Sequence, residues 1–263
     1  MRFHNLFKPR FAWLAARGGL LVTTVLAACS GPIDDSTIGS SSSGLSTNLV
    51  IAEVYGGGGL TGATHSHDYV VLFNRDTAPV SLNGLALQYA SATGNFGTTV
   101  SQRIFLPNVS VGAGKYYLVQ LGTNNAAVGT PLSNPDFTSA AINMAGASGK
   151  IALTDGTVTG CGGTGTLCAA TSFIDLVGYG AVSQFEGAAA APALTNTTSA
   201  QRKLGGCQET DENGDDFAVA APNPRNLATD AHTCTVLDAG PDGAAGAAGA
   251  GGAGGAGGAA GAG

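Results

Sequence analysis

Between residues 49 and 177 the apolar positions fall in short runs separated by clusters of Gly, Asn and Asp. Leu49–Tyr55 is mostly apolar and stops at Gly56-Gly57-Gly58-Gly59. Tyr69–Phe73 is apolar throughout and stops at Asn74-Arg75-Asp76. Val80–Tyr89 alternates through Leu82, Leu85, Leu87 and Tyr89 and is interrupted by the turn pair Asn83-Gly84. Arg103–Leu106, Tyr116–Gln120, Lys150–Leu153 and Phe173–Val177 are further strand-like runs, set apart by Gly112-Ala113-Gly114, Asn124-Asn125 and Asp155-Gly156. No stretch sustains a helical apolar period, and the Ala188–Ala191 run is short and ends at Pro192. Many short strands with turns between them predict an all-β fold, an antiparallel β-sandwich.

The pattern changes at both ends. Residues 1–28 carry Arg2, Lys8, Arg10 and Arg17, then an apolar run, then Leu26-Ala27-Ala28 before Cys29. A basic start, a short apolar stretch and small residues at a cleavage point read as a secretory signal. The run is too short to span a bilayer, which takes about 20 apolar residues. Leu-Ala-Ala-Cys resembles the bacterial lipobox, so Cys29 is the expected lipidation site and the membrane, through that anchor, an expected partner. Ser30, where an inner-membrane retention signal would place Asp, points to the outer membrane or cell surface. Residues 29–48 read as a Ser/Gly-rich tether, 49–234 as the folded domain, and 238–263 as a Gly/Ala-rich low-complexity tail. The tail repeats Gly every third residue from Gly240, but Pro241 is its only proline, which argues for a spacer over a collagen-like helix.

Charge narrows the partners. The whole chain has 11 basic and 17 acidic residues, and removal of the signal leaves a net charge of −10. So acidic a chain repels a phosphate backbone, and nucleic acid is an unlikely partner. Glycine, 42 of 263 residues, is enriched partly by the tail and partly by the turns of the domain. Besides Cys29 the chain has Cys161, Cys168, Cys207 and Cys234, an even set that reads as disulfides in an exported protein. Four cysteines allow three connectivities; proximity favours Cys161–Cys168 and Cys207–Cys234.

Two strings could carry chemistry. His65, His67 and Asp68 lie close enough in sequence to share a transition metal, although a loop with two solvated histidines is the favoured reading. Asp211, Asn213, Asp215 and Asp216, with Glu209 and Glu212 beside them, form an oxygen-rich turn that could hold Ca²⁺, against the plainer reading of a solvated acidic turn. Apart from that candidate calcium no cofactor is expected. A Gly-x-Ser-x-Gly nucleophile turn is absent, and Gly56–Gly59 has neither the Lys nor the following helix of a phosphate loop. Glu53, Asp68, Asp175 and Glu186 offer carboxylates, but no spacing selects a pair for glycoside chemistry. The expectation is a chain without catalytic activity of its own.

Several phrases taken together resemble the bacterial branch of the lamin-tail domain family. They are Val50–Gly58, Asp68–Asn74, Leu82–Tyr89, Asp175–Gly180, Asn196–Arg202 and Asp211–Phe217, the last followed by Pro222–Asn226. The resemblance implies an immunoglobulin-like β-sandwich that serves as a binding or tethering module, often attached in bacteria to secreted nucleases, phosphatases and other hydrolases. The expectation is a non-catalytic binding or adhesion module for protein, envelope polymer or carbohydrate. The alternatives are an accessory domain of, or a weakly active, secreted nuclease- or phosphatase-type hydrolase, or a structural envelope component. The chain departs from the pattern in having Val71 where many relatives have Glu and Leu85 where many have Trp; its only tryptophan, Trp13, is in the signal segment.

Overall fold

The computed structural model describes residues 48–235. The signal segment, Cys29, the tether up to residue 47 and the Gly/Ala tail lie outside the described residues. Among those described, twelve strands dominate. They are β1 (Leu49–Tyr55), β2 (Tyr69–Asn74), β3 (Val80–Ser81), β4 (Leu85–Ser91), β5 (Arg103–Phe105), β6 (Ser110–Val111), β7 (Tyr116–Gln120), β8 (Phe137–Thr138), β9 (Gly149–Asp155), β10 (Asp175–Tyr179), β11 (Ser199–Arg202) and β12 (Phe217–Ala220). One sheet has the order β12-β11-β1-β2-β7-β8 and a second β10-β9-β4-β5. β3 and β6 form a separate pair. All pairings are antiparallel except that of β7 with β8. The all-β sandwich is therefore as expected.

The two larger sheets enclose the main core. Ile51, Val54, Val70, Leu72, Tyr117 and Val119 of the first meet Leu87, Tyr89, Ile151, Leu153, Val177 and Tyr179 of the second. A bulge in β1 between Ile51 and Glu53 shifts the register, so that Ile51 and Val54 both belong to this core. The outer faces are buried too. Val50, Ala52, Tyr55, Tyr69, Val71, Phe73 and Tyr116 form a second cluster with Cys207, and Ala90, Ala152 and Leu176 form a third with Phe96 and Phe173. Burial on both faces explains why β1 and β2 read as near-continuous apolar runs instead of alternating ones. Val71 and Leu85, the two departures from the family pattern, both pack, Val71 in the second cluster and Leu85 against the main one.

Two features are not announced by the sequence pattern. The Asn83-Gly84 turn exists, with Leu85 N–H donating to the Leu82 carbonyl, but it does not close a hairpin. Instead β3 pairs with β6, and the chain crosses into the second sheet as β4. β11, Ser-Ala-Gln-Arg, has no apolar pattern to announce it, yet it sits between β1 and β12. Its polar residues are satisfied by tertiary partners: Ser199 donates to Glu53 and Arg202 to Asp175.

The segment after β12 covers the outer face of the first sheet. Asn223 N–H donates to Glu53 Oε1 at 2.8 Å, and the Arg225 guanidinium lies 4.1 Å from the Tyr116 ring centroid. Leu227 N–H donates to Asp136, Lys115 Nζ donates to the Thr229 carbonyl, and His232 N–H donates to the Gly114 carbonyl. The Cys207–Cys234 bridge closes this strap and Cys161–Cys168 closes a loop at the second sheet, the pairing that proximity favoured. Cys207 and Cys234 are 27 residues apart. Loop-closure entropy for such a span gives about 3–4 kcal/mol. The double Cys207→Ser/Cys234→Ser variant should lose about that much in urea denaturation, with hydrogen exchange accelerating first at residues 223–234. An unchanged midpoint would show that the strap holds without its bridge.

Candidate functional site

The His65–Asp68 string is divided among different tasks. Tyr55 and Tyr69 stack at 5.3 Å between centroids, and the His65 ring meets each edge-on at 5.8 Å. Burial lowers the His65 pKa, favouring the neutral ring. His67 Nδ1 is instead 2.9 Å from Ser66 Oγ. Asp68 is fully buried, and its carboxylate accepts from Gly58 N–H at 2.8 Å and Met144 N–H at 2.6 Å. Burial pushes the Asp68 pKa up to about 7. The two imidazoles thus take different partners, and Asp68 serves backbone amides. This also explains the glycine run: a Cβ at Gly58 would lie 2.2 Å from Asp68 N, and Gly59 has a positive φ of 68°.

The acidic turn is mostly internal. Asn213 and Asp216 are fully buried at the start and end of a single helical turn, Asn213–Asp216. Asn213 accepts from Gly178 N–H and donates to the Leu176 carbonyl, so its amide pairs with the open edge of β10 as a strand would. Glu186 continues this edge by accepting from Leu176 N–H. Asp216 accepts from Arg202 at 3.2 Å and from Thr210, and Asp215 is exposed. This placement divides Asp211, Asn213, Asp215 and Asp216 between buried and solvent-facing positions and lends no support to the alternative of a shared calcium ion. Among the described residues no group of three or more His, Cys, Asp or Glu side chains is arranged to hold a metal ion.

Asp216 belongs to a buried ionic cluster that sequence reading did not find. Arg202, fully buried, donates through Nη2 to both oxygens of Asp175, at 3.0 and 2.9 Å. Its Nη1 lies 2.5 Å from Glu209, and its Nε donates to the Ile51 carbonyl. The guanidinium also sits 4.5 Å from the Phe217 ring centroid. Glu186 adds a fourth carboxyl nearby. Burial, reinforced by the neighbouring carboxylates, raises the Glu186 pKa well above the usual range and that of Glu209 to about 8. Lys150 is a second buried cation, caged by the carbonyls of Ser91, Ala92 and Gly94 and by Ser183 Oγ. Burial brings its pKa down to about 8.

The solvent-facing concavities are of another character. A groove of about 580 Å³ runs along the disulfide loop beside the second sheet and includes Asp155, Thr157, Thr159, Thr171 and Ser172. Arg103 reaches it from β5, donating to Thr157 Oγ1 at 3.0 Å. A smaller cleft of about 230 Å³ is lined by His67, Gln120, Thr123, Thr138 and Ser139. The only signal of the larger groove in the sequence is the spacing of threonines around Cys161 and Cys168, which composition by itself does not distinguish from a solvated turn.

Compared with known families, residues 42–181 match the model described as Lamin Tail Domain. None of the curated proteins compared with the chain matches it. The family match ends before β11, β12 and the strap, so Arg202 lies outside the matched residues while its partner Asp175 lies inside.

Proposed function

Because the chain belongs to the lamin tail domain family, whose immunoglobulin-like fold is non-enzymatic, we propose that it is a non-catalytic binding and tethering module of the cell envelope, lipid-anchored at Cys29. The observation that carries the reading is the use to which the ionisable groups are put. Asp68, Glu53, Asp175, Glu186 and Asp216 each hold backbone amides or other internal groups. A catalytic carboxylate or imidazole must instead reach a reacting atom in an open site. Two of the solvent-facing clefts among the described residues are lined by hydroxyl, amide and imidazole groups and one carboxylate, Asp155, a set that suits recognition. The Leu26-Ala27-Ala28-Cys29 string supports the anchor, and the polar stretch after it would hold the domain away from the bilayer. The partner is an envelope polymer or an envelope protein at the outer membrane or cell surface.

The test separates anchor from domain. Radioactive fatty acid should label the wild-type chain and not Cys29→Ala. The unlipidated Cys29→Ala protein should still sediment with cell-envelope fragments through its folded domain. Absence of label in the wild type would remove the anchor, and failure of the variant to sediment would remove the binding role.

A further inference from the structure

We propose that the groove between the Cys161–Cys168 loop and the second sheet is a binding site for a neutral oligosaccharide. This rests on the reading of the chain as a binding module and assigns that module a ligand class and a place. The groove has the size of a small-molecule site. Asp155, Thr157, Thr159 and Thr171 are exposed along it, and the side chains of Asp155, Thr159 and Thr171 hold no hydrogen bond within the described residues. Their hydrogen-bonding capacity is therefore free for a ligand. A carboxylate accepts from two neighbouring hydroxyls of a sugar, and threonine hydroxyls both donate and accept, so this set complements a polyhydroxylated surface. Arg103 sets Thr157 through one nitrogen and leaves other N–H donors at the rim. Phe105, which follows on the same strand with its ring 5.1 Å from that guanidinium, is 54% exposed and offers an apolar surface to sugar C–H groups.

The groove is held in shape before any ligand arrives. Gln184 accepts from Cys168 N–H and donates to the Cys168 carbonyl, both at 2.9 Å. The Gln88 amide, oriented to satisfy both ends, pairs in the same way with Val158 N–H at 2.9 Å and its carbonyl at 3.0 Å. Phe173 packs on Phe96 at 5.5 Å beneath the loop. A rigid loop loses little freedom on binding, which favours a weak-contact ligand such as a sugar. Other ligand classes fit less well. Asp155 is the groove's only carboxylate, too few for a hard cation that takes six to eight oxygens. The acidity of the chain disfavours polyanions.

The experiment titrates the isotopically labelled full chain with cellotriose, maltotriose and the trimer of N-acetylglucosamine. Saturable amide shifts confined to residues 155–174 and 103–105 are expected with at least one of them. Asp155→Asn and Thr171→Val should each weaken that binding by about tenfold. Both positions are exposed, so the melting temperature should stay unchanged and certify the fold. Shifts absent at millimolar sugar, shifts centred on the His67–Gln120 cleft, or undiminished affinity in both variants overturn the proposal. If sugars fail while Cys29→Ala still sediments with envelope fragments, the saccharide site falls and the binding-module reading stands. If sedimentation fails as well, both fall.

Discussion

Replacing Arg202 with Met should lower the melting temperature by about 10 °C or more. The guanidinium is the shared counterion of Asp175 and Asp216, lies against the Glu209 carboxyl, and also satisfies the Ile51 carbonyl. Methionine fills a similar volume but removes the guanidinium that these buried carboxyl groups contact, leaving Arg75 as the nearby positive charge. Removing one side of a buried ion pair costs about 3–5 kcal/mol, and here the loss falls on several partners at once. Arg202→Lys should recover only part of the loss. A single ammonium cannot reproduce the planar fork that meets both oxygens of Asp175 while reaching Asp216 and Ile51. Thermal unfolding followed by circular dichroism measures both variants. A methionine variant melting within a degree or two of wild type would show that the cluster contributes little.

Raising the pH from 5 to 8 should destabilise the domain by several kcal/mol. Burial holds the carboxyl pKa of Asp68 near 7 and that of Glu209 near 8, and it raises Glu186 well above the usual range. In the unfolded chain these groups titrate near pH 4. The folded state therefore keeps protons that the unfolded state has released, and the stability this confers is full below pH 4. It is lost as pH rises through the folded-state values and then levels off. The melting temperature at pH 5 should accordingly exceed that at pH 8. Glu209→Gln, which replaces a protonated carboxyl by a neutral amide, should remove part of the slope. A melting temperature that is flat or rises with pH would contradict the linkage.

Both effects arise from residues that looked different in the sequence. Asp211–Asp216 reads as an acidic surface turn because charge density is all that a linear string displays. Folding turns Asp216 toward Arg202 and Asn213 toward the edge of β10. Their partners lie 14 and 35 residues away, beyond the reach of any local pattern. His65, Ser66, His67 and Asp68 illustrate the same limit. Adjacent in sequence, they send their side chains to an aromatic pair, to one another and to two buried amides, so a spacing suited to a shared metal ion becomes three separate roles.

The strands β1, β2, β4, β7, β9 and β10 were legible because each carries enough apolar residues to define itself locally. The turns between them were legible because glycine and asparagine tolerate backbone conformations that other residues avoid. Cysteine count and proximity were enough to anticipate both bridges. The family, too, was readable from the order of its phrases. The sequence by itself thus determined an all-β sandwich with two disulfides. Only the tertiary structure decided how its polar residues are used. β11 is a strand because Glu53 and Asp175 satisfy its side chains across the fold. The strap lies on the first sheet because an apolar outer face awaits cover there. Hydrophobic periodicity is a local property and survives in one dimension, whereas a buried polar group is stabilised only by partners that folding brings to it.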